Sequence, residues 1–158
     1  MHQAHDRPDT APAGMRLPAP LAPERSGPPL FLAAVQAGFP SPADDSVEDR
    51  LDLHRHLVRN ETATFFLHAS GDSMEGAGIR DGDLLVVDRS LEPQSGDVVV
   101  AYVDGGFTVK ELDLSERKQG IVRLLPHNKA YSPITITAEQ TSIIWGVVTY
   151  CIHKNRTR

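Results

Sequence analysis

From residue 62 onward the chain alternates short apolar runs with turn residues. Residues 64–67 (Thr-Phe-Phe-Leu), 83–88 (Asp-Leu-Leu-Val-Val-Asp) and 97–103 (Asp-Val-Val-Val-Ala-Tyr-Val) are rich in β-branched and aromatic side chains. Residues 107–110 (Phe-Thr-Val-Lys), 120–125 (Gly-Ile-Val-Arg-Leu-Leu) and 143–148 (Ile-Ile-Trp-Gly-Val-Val) continue the series. Each run is strand-length, and Asp81-Gly82, Ser95-Gly96 and Asp104-Gly105-Gly106 punctuate them as turns, the last as a tight hairpin. Many short strands at close spacing predict a mostly-β domain with compact, curved or barrel-like sheets. Upstream the period changes. Val47, Leu51, His54 and Val58 recur at helical spacing after Ser46, which can cap, with Asp49 three residues on. This pattern predicts a helix from residue 46 to about Asn60.

The first 29 residues carry seven of the twelve prolines. A segment so rich in proline cannot build regular structure, and it reads as a flexible tail. Directly after it, residues 30–35 (Leu-Phe-Leu-Ala-Ala-Val) form an apolar patch that ends in Gln36-Ala37-Gly38-Phe39-Pro40. An apolar segment on a flexible tether is expected to dock on this chain's body, on a second copy or on a partner.

Charge and composition narrow the function classes. Hydrophobic residues make up 40% and charged residues 23% of the 158, ordinary for a soluble globular protein. Residues 1–37 hold three basic side chains (Arg7, Arg16, Arg25) and three acidic ones (Asp6, Asp9, Glu24), so the net charge of -5 falls on residues 38–158. An acidic body repels phosphate backbones, and direct nucleic-acid binding is not expected. No apolar stretch approaches the about 20 residues that span a bilayer, and no membrane association is expected. The N-terminus lacks the apolar core of an export signal, and Cys151 is the single cysteine. A cytoplasmic location with no disulfide is the expectation.

Two positions invite chemistry. Alternation along residues 107–112 puts Thr108, Lys110 and Leu112 on one face of a strand and Phe107, Val109 and Glu111 on the other. Flanking strands that look buried would desolvate Lys110, lower its pKa and leave a neutral amine able to act as a base. Ser73, in Ser70-Gly71-Asp72-Ser73-Met74, follows an apolar strand in a glycine-containing turn of the sort that presents nucleophiles. Each reading alone competes with a blander one, a snorkelling lysine and an ordinary turn serine. A serine–histidine–aspartate triad through His68 or His127 stays open on spacing alone. His54 and His56, two apart on the predicted helix, make a poor metal pair. Asp81 and Asp83 read as turn residues. No phosphate loop, paired-cysteine motif or DNA-reading helix is present, and no cofactor is implied.

Taken together, residues 69–74 (Ala-Ser-Gly-Asp-Ser-Met), 78–79 (Gly-Ile), 81–88, 96–101 (Gly-Asp-Val-Val-Val-Ala) and 107–110 resemble, in order, the LexA-like self-cleaving serine peptidases. Residues 36–45 and 128–136 resemble the UmuD- and MucA-type members, the accessory subunits of DNA polymerase V-like enzymes. The likeness runs from about Pro29 to Ile152. It implies a serine peptidase with Ser73 as nucleophile, Lys110 as general base and Ala37-Gly38 as the scissile bond. Backbone N–H groups at Ser73 and Met74 would form the oxyanion site. It further implies residues 1–37 as an arm removed by self-cleavage and 38–158 as the peptidase domain. As partners it implies a homodimer, a RecA–single-stranded-DNA filament that stimulates cleavage, and a Y-family, UmuC-like polymerase subunit in the SOS response. The other readings are a LexA-type repressor, which needs a DNA-binding domain that a proline-rich arm does not supply, a membrane-anchored signal-peptidase-like enzyme, and a non-cleaving module that binds the polymerase or RecA.

Overall fold

In a computed structural model, the structure describes residues 28–31, 37–38, 47–137 and 142–156. The proline-rich segment before Pro28, most of the apolar patch and Ser46 lie outside the described residues. The chain divides into two compact units, Met1–Asp52 and Leu53–Arg158.

In the first unit β1 (Pro29–Phe31) pairs antiparallel with β2 (Val47–Arg50), Pro29 opposite Arg50 and Leu30 opposite Asp49. The Leu51 N–H closes the ladder on the Pro28 carbonyl at 2.9 Å. The helix expected from residue 46 is therefore corrected. Residues 47–50 are a strand, and only α1 (Leu53–Leu57) is helical. The helical spacing of Val47, Leu51, His54 and Val58 is real, but β-branched Val47 and the poor helix former Asp49 gain a hydrogen-bonded partner strand instead, and tertiary pairing overrides periodicity. The helix also stops at Leu57, before the expected end at about Asn60, whose carbonyl instead accepts from the Ala63 and Thr64 N–H groups of the following turn.

The second unit is the mostly-β body that the sequence predicts. Its strands are β3 (Thr64–His68), β4 (Leu84–Asp88), β5 (Val98–Val103), β6 (Gly106–Asp113), β7 (Val122–Leu125), β8 (Ile134–Ile136) and β9 (Ser142–Ile152). They form one antiparallel sheet in the order β3-β4-β9-β5-β6-β7-β8. Asp104 and Gly105 both take left-handed φ values, 48° and 90°, which gives the β5–β6 hairpin the two positive φ angles its tight turn needs. Every sequence-predicted strand is present. β8 was not foreseen, being three residues between Pro133 and a polar stretch, and β9 runs further than the apolar run suggested, through Thr149-Tyr150-Cys151-Ile152. Register shifts where β9 meets β4 and β5 mark the bulges that bend such sheets.

Alternate residues of β5 serve two separate cores. Val100 packs with Leu85, Val87, Ala69, Met74 and Ile79, while Val99 and Ala101 pack with Leu112, Leu124, Ile136 and Val147. The first core carries the chain that leads into Ser73, and the second holds β6 and β7 in place. Leu124 is fully buried in the second. Leu124→Ala is expected to cost about 3 kcal/mol, read as a lower midpoint in urea unfolding. An unchanged midpoint would mean that this cluster does not hold the sheet.

Candidate active site

The loop between β3 and β4 is fixed from below and from the side. Ala69, Met74 and Ile79 are buried in the first core, so the residue before Met74 is held at the core's surface. Ser73 is that residue, half-buried at the head of a short 3-10 turn, Glu75–Ala77. Asp81 accepts the Gly71 N–H at 2.7 Å, and Asp83 accepts the Arg80 N–H at 2.8 Å, so both aspartates act in the turns where the sequence put them. Asp83 is buried. Burial alone would push its carboxyl up, but the Arg80 N–H, His153 and Cys151 together hold it below the usual carboxylate range.

Lys110 comes from the neighbouring β6. β6 pairs with β5 from Gly106 to Glu111, but with β7 only over Glu111, Leu112 and Asp113. Lys110 is the first residue beyond that ladder, which ends where β7 ends at Leu125. It is 7% exposed, and burial lowers its pKa from the model-compound value of 10.5. Its Nζ lies 2.9 Å from Ser73 Oγ, 2.9 Å from Thr108 Oγ1 and 2.9 Å from the Val109 carbonyl oxygen. A neutral amine has two N–H bonds and one lone pair. With the N–H bonds given to Thr108 and Val109, the lone pair faces the Ser73 hydroxyl, which donates to it. The same three neighbours accept from an ammonium, so the site serves Lys110 in both protonation states. Thr108 on the Lys110 face agrees with the strand alternation expected from sequence, although its part in orienting the amine does not show in that pattern.

A cavity of about 380 Å³ opens beside the pair, lined chiefly by Leu67, Ile79, Val100, Val109, Phe107 and Trp145. Its rim is aromatic. Trp145 packs on Phe65 and Phe107 at ring separations of 5.2 Å and 5.9 Å, and the Arg89 guanidinium stacks over Trp145 at 4.8 Å. Such a surface suits an apolar chain segment passing Ser73. Among the described residues, no backbone carbonyl takes up the Ser73 or Met74 N–H.

The structure thus brings Ser73, Met74 and Lys110 together. It places Ala37 and Gly38 in the other compact unit, at an exposed bend. The histidine readings do not hold: the His68 Nδ1 meets the Gly82 carbonyl oxygen and the His127 ring pairs with Glu111, neither with Ser73. Sequence reasoning missed the residues that brace Ser73 from the β7–β8 loop. The His127 N–H donates to the Ser73 carbonyl at 2.8 Å, and Asn128 Nδ2 and the Tyr131 hydroxyl both donate to the Asp72 side chain. The one available signal was the likeness of residues 128–136 to UmuD-type segments, which marked the stretch without saying what it touches.

The family described as Peptidase S24-like matches residues 29–149. Protein SamA of Salmonella typhimurium is 48% identical over 134 residues, covering 85% of this chain and 91% of SamA. Protein MucA of Escherichia coli is 46% identical over 125 residues, 78% of this chain and 83% of MucA. LexA repressor 1 of Xanthomonas campestris is 39% identical over 138 residues, which span 87% of this chain and 66% of the repressor.

Proposed function

We propose that this chain, which belongs to the Peptidase S24-like family, is a serine peptidase that cuts its own Ala37–Gly38 bond with Ser73 as nucleophile and Lys110 as general base. The observation that carries the reading is the buried Lys110 amine 2.9 Å from Ser73 Oγ, with its other donors taken by Thr108 and Val109. Nucleophile and base within hydrogen-bond reach, the base oriented by further groups, is the arrangement that activates a hydroxyl. Neutral Lys110 takes the Ser73 proton as Oγ bonds to the Ala37 carbonyl carbon. The resulting oxyanion is met by the Ser73 and Met74 N–H groups. As the C–N bond breaks, the Lys110 ammonium returns its proton to the Gly38 nitrogen. Water, deprotonated by Lys110, then releases the acyl group and frees Ser73. Small Ala37 and glycine at 38 allow close backbone approach.

Residues 1–37 are then the arm lost on cleavage, and 38–158 are the product. The similarity to SamA and MucA supports a role for that product in SOS mutagenesis. On this reading it works in the cytoplasm as a homodimeric accessory subunit of an error-prone, UmuC-like Y-family polymerase. A RecA–single-stranded-DNA filament would stimulate cutting by favouring the docked arm, a shift of population rather than a gift of catalytic groups. Among the described residues no helix is long and apolar enough to cross a membrane.

Incubation of the purified chain at alkaline pH, followed by intact mass, tests the reading. Loss of the first 37 residues from the parent chain, and none from Ser73→Ala, is the expected result. A parent chain that stays whole, with and without the filament, would instead favour a non-cleaving binding module.

A further inference from the structure

His127 meets the site three times. Its N–H holds the Ser73 carbonyl at 2.8 Å, its carbonyl accepts the Gly76 N–H at 2.9 Å, and its ring Nε2 pairs with Glu111 Oε2. Glu111 is covalently next to Lys110 and is the residue of β6 at which the β7 ladder ends, opposite Leu125. The four residues therefore close a ring. Lys110 is bonded through the chain to Glu111, Glu111 to the His127 ring, the His127 N–H to Ser73, and Ser73 Oγ to Lys110 Nζ. The β7 ladder ends at this pair, so among the described residues no ladder bond holds the chain around His127 to β6. The side-chain pair supplies the link.

We propose that the Glu111–His127 pair is a positioning clasp that fixes the separation of Ser73 from Lys110. The inference rests on the peptidase reading. Neither side chain touches the reacting atoms. Both act through main chain: Glu111 through the strand that carries Lys110, and His127 through the loop that holds Ser73. Each side chain is about one-third exposed, 34% for His127 and 29% for Glu111, and pairs this exposed add little to global stability. Misplacing a nucleophile by about 1 Å, however, can cost about a hundredfold in rate. The clasp should therefore show in the rate of cleavage and barely in the melting temperature, a split that a merely structural contact does not produce.

The test measures self-cleavage by intact mass, and unfolding by circular dichroism, for the parent chain, His127→Leu, Glu111→Leu, the double variant and Glu111→Gln. Either leucine variant is expected to slow cleavage at least about tenfold with its melting temperature nearly unmoved. The double variant should be no slower than the slower single, because both break one link. Glu111→Gln, whose amide oxygen still accepts from the ring, should recover most of the rate lost in Glu111→Leu. His127→Leu cutting as fast as the parent, or single effects that multiply in the double variant, would overturn the clasp while leaving the peptidase reading intact. A parent chain that never cuts would sink both. If His127→Leu fails to fold, the comparison of Glu111→Leu with Glu111→Gln decides alone: equal rates refute the clasp.

Discussion

Lys110→Arg is expected to lower self-cleavage at least about a thousandfold, to the level of Ser73→Ala, because removing either member of a nucleophile–base pair removes the pathway. The reason is protonation. Lys110 can lose its proton because burial lowers its pKa, whereas a guanidinium stays charged at any workable pH. Arginine also spreads its donors over a planar fork, which cannot give two N–H bonds to Thr108 and Val109 and still turn a lone pair toward Ser73. Intact mass after prolonged incubation measures the effect, with Ser73→Ala as the reference for a silent site. Substantial cutting by Lys110→Arg would mean that another group takes the Ser73 proton.

A second large effect is expected at a residue with no chemistry of its own. Gly76 lies in the 3-10 turn after Ser73, and a Cβ built there would stand 2.4 Å from the His127 carbonyl oxygen. That oxygen already accepts the Gly76 N–H at 2.9 Å, so turn and loop are locked face to face. The obstacle is backbone and cannot swing away as a side-chain tip would. Gly76→Ala must push the turn from the β7–β8 loop, and both segments hold Ser73. An overpacking cost of about 3 kcal/mol is expected, together with cleavage slower by about a hundredfold as Ser73 moves from Lys110. Urea unfolding and the cleavage rate check the two parts. A parent-like midpoint and rate would show that the contact is loose.

The same residues explain what could and could not be read from the sequence. β3, β4, β5, β6, β7 and β9 were legible because each contains a short β-prone run, most of them bounded by Asp-Gly, Ser-Gly or a related turn, and local propensity agrees with the final pairing. Residues 47–50 misled because Val47, Leu51, His54 and Val58 keep a helical period, while the partner strand that decides the matter, residues 29–31, lies in a proline-rich context that argued against any strand. β8 was too short to show a period. At the site, Ser73 and Lys110 drew attention as residue types, but their meeting, 37 positions apart, came only through the family resemblance. The bracing contacts were out of reach. Asn128 meets Asp72 across 56 positions and His127 meets Glu111 across 16. Such contacts depend on where β7 ends, and no periodicity encodes that end.

The central claim is that a neutral Lys110 takes the Ser73 proton, and the pH dependence of the parent chain's cleavage rate, followed by intact mass from about pH 6 to about pH 11, tests it most directly. Burial favours the neutral amine and carries the lysine pKa below its ordinary value of 10.5. The rate should climb about tenfold per pH unit while the ammonium dominates, then level off before that value as the amine form saturates. A rate that is flat across the range, or one that keeps rising unbroken past the ordinary lysine pKa, would contradict a buried lysine acting as the base.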